Sequence, residues 1–416
     1  MGGVTLTSRL PAPFRSRDYS LLWWATLLTG FGMNMVQVAV GWQVYAIRRS
    51  AFDLGLVGLC EFVPLLLLAL PAGQLADRVS RRVVILASGA LDLAVVLLLL
   101  VVTLHGAHAL WPFLALAGAT GVASALGAPG LNAVAPSLVP SEILASALAL
   151  RSTAFQTATV AGPAVGGLIF AANEPAVYAV AAGFLVLALG ATAAMRVPPR
   201  DAPAEQLGVT SLLGGVSFIR RTPILLGAIS LDLFAVLFGG AVALLPVFAR
   251  SILHTGPVGL GVLRAAPAVG AVAASVMLAH RPIGGRAGRT LLLTVAAFGA
   301  ATIVFGLSQS FALSLVALVI VGFSDAISVN IRATTVALAT PDELRGRVMA
   351  VEMVFISASN ELGAFESGAA AALLGAVTAV VAGGAVTIGC TVLWPFMFPS
   401  LARIDRLETL RPAEVT

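Results

Sequence analysis

The sequence predicts an all-α integral membrane protein with twelve transmembrane helices in two pseudo-symmetric six-helix halves. Three observations carry this. Of the 416 residues, 59% are hydrophobic and only 10% charged, against about 25% charged in soluble domains, so a water-soluble fold of this size is excluded. The apolar runs are continuous and separated by short Arg-, Pro- and Gly-containing breaks, whereas a membrane β-barrel needs alternating apolar and polar positions. Finally, the second half of the chain repeats landmarks of the first.

Reading the apolar runs between breaks gives spans at about 20–46, 54–76, 83–104, 110–134, 143–172, 174–195, 222–250, 257–280, 290–308, 311–336, 347–373 and 376–400. Each is close to the roughly 20 residues that cross a bilayer. The first is too long for the core of a signal peptide and lacks a clear cleavage site, so it is read as a retained helix. The stretch 197–221, rich in Pro, Ala and charge, reads as a cytoplasmic linker. It divides a first half (1–196) from a second (222–400), with a tail at 401–416.

All 24 basic residues are Arg. With the amino terminus inside, 18 of them fall on inner segments and three outside (Arg48, Arg49, Arg250). The remaining three, Arg151, Arg264 and Arg332, lie within spans. This positive-inside bias places both termini in the cytoplasm of a bacterial-type inner membrane. It also accounts for the net charge of +5 without nucleic-acid binding. The absence of Lys removes any phosphate-binding Walker lysine or Schiff-base site, arguing against primary ATP-driven pumping. Cys60 and Cys390 lie in apolar runs, and His105 and His108 form a pair with no further ligand nearby. No metal site or cofactor is therefore expected.

The internal repeat can be followed residue by residue. Val139–Ile143 aligns with Thr340–Leu344, and the same offset carries Gly162 onto Gly363 and Gly167 onto Gly368. Upstream, Gly58 falls on Gly261, Pro64 on Pro267 and Tyr45 on Phe248. Two parallel six-helix halves related by an axis along the membrane normal are a transporter architecture. The offsets also set Glu61 against Arg264 and Arg151 against Glu352. Each pair has opposite signs at related depths, the first toward the outer side and the second toward the inner. Either these pairs face one another as gate charges, or each charge finds a partner within its own half.

After the second span the sequence reads Gly73-Gln-Leu-Ala-Asp77-Arg78-Val-Ser80-Arg81-Arg82. It resembles the signature loop of the major facilitator superfamily, Gly-x-Leu-Ala-Asp-Arg-x-Gly-Arg-Arg/Lys, with Ser80 in place of the second glycine. In that family the loop is a conformational latch. Physically it is a tight turn, with an acid suited to a helix amino terminus and arginines that hold it inside. Its second-half counterpart, Arg281–Arg286, lacks the acid. In the fifth span, Gly162-Pro163-Ala164-Val165-Gly166-Gly167 is similar to the core of the motif associated with drug and proton antiporters. Its glycines permit close helix approach and its proline a bend. The opening Phe14-Arg-Ser-Arg-Asp18, with Gly55-Leu-Val-Gly through Pro64, resembles the branch containing enterobactin exporters and macrolide-type efflux proteins.

Acids at bilayer depth are costly, and they face protein or water where they occur. Asp232, Asp325 and Glu361 are the proton-coupling candidates among them. Asp232 shares a face with Gly239 and Ala243 and has no cationic partner in its own helix. Asp325, Ser328 and Arg332 form a polar stripe. Asp325 is therefore read either as a proton carrier or as the paired anion of Arg332. The resemblance implies that spans one, four, seven and ten line a central cavity, giving Asn34, Gln37, Trp42, Phe234, Phe238 and Arg332 as substrate candidates. Such an aromatic and apolar lining suits an amphipathic organic molecule better than a sugar or an inorganic ion.

The function expected is secondary active transport by a monomer, with protons driving export of a drug-like or siderophore-like molecule. An importer or uniporter of the same fold is the first alternative, distinguished by the direction of transport and its proton dependence. A membrane-embedded receptor or enzyme is the second. The sequence offers no nucleophile elbow or metal-ligand helix for an enzyme.

Overall fold

The computed structural model describes residues 11–197 and 209–412, apart from the side chains of 69, 70, 73–78, 129, 132, 133 and 209–212. The long helices are α1 (Arg17–Arg48), α2 (Ala51–Arg78), α3 (Arg81–Leu104), α4 (Trp111–Val134), α5 (Leu144–Ala172) and α6 (Glu174–Ala194). A shorter α7 (Val209–Arg221) precedes α8 (Pro223–Phe238), the one-turn α9 (Leu245–Val247), α10 (Gly256–His280), α11 (Ala287–Leu307), α12 (Phe311–Ala339), α13 (Asp342–Leu374) and α14 (Ala376–Met397). Among the described residues, eleven segments are long and apolar enough to cross a membrane. The 32-residue α1, diluted by Asn34, Gln37 and Gln43, makes twelve.

Local chemistry sets the ends. Proline stands in the first turn of α4, α6, α8 and α10, where a missing N–H costs nothing. The Asn173 side chain caps α6 by accepting from Ala176 N at 3.1 Å, and Ser50 Oγ accepts from Asp53 N at 3.3 Å at the start of α2. Gly375, at φ 85°, makes the break between α13 and α14 that only glycine adopts without strain.

The chain forms two compact units. The first contains Met1–Val40 and Val63–Gln206. Within it α1 and α5 approach closely. A Cβ on Gly166 would lie 2.7 Å from Met35 Cα, and one on Gly162 would lie 2.8 Å from Asn34 Cβ. The two contacts are four residues apart on α5, so the Gly-Pro-x-x-Gly-Gly stretch provides a smooth stripe. Lipid supplies no hydrophobic drive for helix association, so such packing and a few hydrogen bonds must supply it. Tyr19 Oη donates to Ala147 O at 2.6 Å and Trp23 Nε1 to Leu150 O at 2.8 Å.

The second unit contains Gly41–Phe62 and Leu207–Thr416. The first part of α2, up to Phe62, belongs to it and meets α13 at a glycine crossing. A Cβ on Gly368 would stand 2.7 Å from Gly55 Cα, and Phe52 packs on Phe365 with ring centroids 6.0 Å apart.

Three features differ from the sequence expectation. The span expected as one helix at 222–250 is broken after Phe238. It continues as a 3-10 turn (Ala241–Leu244), α9 and a π turn (Phe248–Ile252). Gly239 and Gly240 weaken the helix there, and Pro246 removes a backbone donor. The described end of the expected linker is α7, whose Phe218 and Ile219 are buried with Leu225, Ile229, Val348 and Val351. The expected tail is packed as well. Leu401 and Ile404 are buried against Ala287 and Leu291, and Asp405 Oδ1 accepts from Arg286 N at 2.9 Å.

Candidate functional site

Two groups of buried charge stand out, both inside the second unit. The first is built on α12. Arg332 lies under 5% exposed, two turns beyond Asp325 and one beyond the buried Ser328. Its Nη1 contacts Asp232 Oδ2 on α8 at 2.6 Å, with the two side chains 4% and 9% exposed. Asp325 is within electrostatic reach of both Asp232 and Arg332, and so is Glu352 on α13. One guanidinium is thus paired directly with one carboxylate and lies within electrostatic reach of two more, on three helices in all. Its Nε has no hydrogen-bond partner among the described residues.

Sequence reading found no cationic partner for Asp232 within its own helix and left Asp325 either a proton carrier or the paired anion of Arg332. The direct ion pair crosses from α12 to α8. The seven residues from Asp325 to Arg332 rise roughly 10 Å along the axis, so a short contact within α12 is disfavoured. A partner on a packed neighbour lies nearer.

The second group centres on Arg264 of α10, whose acidic partners are Glu61 on α2 and Glu361 on α13. The proposed gate pair Glu61 and Arg264 thus meet with a third member that the repeat did not suggest. The carboxylate of Glu361 packs over Gly58, where an added Cβ would come 3.4 Å from Oε2. Arg151 and Glu352 each have a neighbour within their own unit. Arg151 interacts with Tyr19, and Glu352 with Arg332.

The remaining candidates are spread along the helices. Asn34 Nδ2 donates to Gly30 O at 2.8 Å within α1, and Gln37 is exposed on the same helix. Phe234 stacks on Phe238 with centroids 6.2 Å apart and meets Trp394 edge-on at 5.6 Å. Trp42 lies under the Arg250 guanidinium at 5.1 Å, beside a hydrogen bond of 2.8 Å between Tyr45 Oη and Ser251 Oγ. Sequence reading had taken Arg250 only as an outer arginine. A cation near the end of a span was its one visible signal.

In the signature loop, α2 continues to Arg78 and Ser80 precedes α3. Arg81 opens that helix, and Arg82 Nη2 donates to Ala193 O. The side chains of Gly73, Asp77 and Arg78 lie outside the described residues. Pro163 and Gly167 are buried in α5 with Gly162 and Gly166.

Residues 8–412 match the family described as transmembrane secretion effector of the major facilitator superfamily. The chain is 26% identical over 395 residues to the enterobactin exporter EntS of Shigella boydii serotype 18, covering 93% of this chain and 92% of the relative. The same figures hold for EntS of Escherichia coli O139:H28. A bacterial homolog of the human lysosomal transporter Spinster, in an inward-facing and occupied conformation, superposes with TM-score 0.71 at 14% identity, covering 98% of this chain and 100% of the other. A POT family transporter in complex with 5-aminolevulinic acid gives 0.72 at 13% identity, covering 93% and 97%. A helical membrane fold with internal landmarks, a signature loop and a family match over nearly its whole length make this chain a transporter of the major facilitator superfamily, in its transmembrane secretion effector family.

Proposed function

We propose that the protein exports an amphipathic small organic molecule, drug-like or siderophore-like, in exchange for protons by alternating access. The observation that carries this reading is the group of Asp232, Asp325 and Glu352 around the single buried Arg332. Crowding several carboxylates about one cation disfavours ionising all of them, so the excess negative charge is the place for a transported proton. A proton on Asp232 releases Arg332 toward Glu352 on α13. Its departure restores the pair with Asp232. Such a two-arrangement element gives protonation a handle on helix positions. The direction of transport is supported by the exporter relatives. The aromatic pair Phe234 and Phe238 supports an amphipathic cargo. The distribution of arginines supports cytoplasmic termini in a bacterial-type inner membrane, and we propose that the working unit is a monomer.

The test is uptake into inside-out vesicles over a panel of amphipathic compounds that includes a catecholate siderophore, with and without an inside-acid pH gradient. Uptake that requires the gradient and disappears with a protonophore is expected. Uptake indifferent to the gradient would overturn the coupling.

A further inference from the structure

Within the second unit, α10 and α12 cross closely at two glycines. At the contact, Gly270 lies beneath Val319 O and Phe323 N, and Gly322 lies against the backbone of Pro267. Any larger residue there would force the helices apart. Beyond the contact, Ala326, Asn330 and Thr334 follow one another at four-residue steps on one face of α12. A cavity of 740 Å³ opens between them and Ser275, Leu278 and Ala279 of α10. Its mouth is formed by the turn at 282–284 and by Arg406, Leu407 and Glu408.

That mouth is held in place. The chain after α14 satisfies the first free N–H groups of α11. Arg286 N donates to Asp405 Oδ1 at 2.9 Å, Ala287 N to Asp405 O at 2.9 Å, and Gly288 N to Ile404 O at 3.0 Å. With Leu401 and Ile404 buried as well, the adjoining Arg406 and Leu407 have a defined position at the cavity rim. The volume falls in the range of small-molecule sites, and the lining is about as polar as it is apolar. The local charge selects among ligands. Segments 281–289 and 403–412 carry six arginines against two acids, Asp405 at the α11 terminus and Glu408 in the cavity lining beside Arg406. The net positive charge of the two segments favours an anion.

We propose that this cavity is a loading site for an amphipathic anion. The apolar body lies between Leu278, Ile283 and Leu407, Asn330 and Thr334 offer hydrogen bonds, and the acidic group is received by Arg406. The role as a loading site rests on the export reading above, and it narrows the cargo to molecules with an acidic group. The test reads binding alone, with no pH gradient, so a failure of proton coupling would leave its outcome unchanged.

The full chain with Cys60→Ser, Cys390→Ser and Ser275→Cys is placed in phosphatidylcholine nanodiscs. The rate of thiol modification at position 275 is then measured with a water-soluble maleimide. Two probes share one aromatic body, anilinonaphthalene sulfonate and its uncharged parent phenylnaphthylamine. The sulfonate is expected to slow modification and the uncharged compound to have little effect. Arg406→Gln should raise the sulfonate concentration needed for protection about tenfold, as for loss of a charge-assisted hydrogen bond, and Arg406→Lys should largely restore it. Equal protection by both probes, no protection by either, or indifference to Arg406→Gln would overturn the proposal. Modification that is already slow in phosphatidylglycerol nanodiscs without probe would assign the site to a lipid headgroup and overturn the loading role.

Discussion

Asp232→Asn tests the ion pair and the coupling together. The substitution keeps the shape of the side chain and one acceptor oxygen but removes the charge facing Arg332, whose side chain is 4% exposed. Removing one partner of a buried pair costs about 3 to 5 kcal/mol when the other is left uncompensated. Here Asp325 and Glu352 remain within electrostatic reach of Arg332, and the new amide still accepts a hydrogen bond. The expected loss therefore falls to about 2 kcal/mol, in the range of a single hydrogen bond to a charged group. For a chain of this length that lowers the thermal midpoint by roughly 2 °C. Gradient-driven uptake into inside-out vesicles should be lost as well, because Asn cannot carry a proton. The double change Asp232→Asn with Arg332→Gln also takes the cation away from Asp325 and Glu352, so the thermal midpoint should fall further than in the single change, with gradient-driven uptake still absent. An Asp232→Asn protein with an unchanged midpoint and full gradient-driven uptake would refute the reasoning. So would a double variant more stable than the single one.

Three further outcomes are expected. Glu61→Arg combined with Arg264→Glu should transport better than either single change, because the swap keeps opposite charges at the same positions; initial uptake rates decide this, and a double variant no better than the worse single one would show that the two side chains do not act as a pair. Asp77→Ala should lower the maximal uptake rate at unaltered half-saturating substrate, as expected for a latch between states, whereas a change in substrate preference at unaltered turnover would contradict that role. Asp405→Ala removes an acceptor at the α11 terminus and should destabilise the protein by about 1 kcal/mol, read as earlier loss of protease protection in the segment following α14.

The sequence by itself determined where the chain crosses the membrane. In lipid every backbone group must be satisfied within the segment, so a continuous apolar run of sufficient length has only the helix available. The run expected at 83–104 is α3, Arg81–Leu104, and the run at 376–400 is α14, Ala376–Met397. The signature loop could be recognised as a family pattern because its residues lie in one stretch of chain. What only the tertiary structure decided was which charge meets which. The partner of Arg332 is Asp232, 100 residues earlier on α8, and Arg264 is shared by acids from α2 and α13. Such meetings depend on the rotation and crossing of neighbouring helices, which small residues such as Gly55, Gly270, Gly322 and Gly368 set by how closely they let backbones approach. Spacing along one helix places a residue on a face but says nothing of the neighbour across from it. The capping of α11 by Asp405 was hidden for the same reason. A helix terminus accepts any suitably placed acceptor, and the one that reaches it lies 119 residues away.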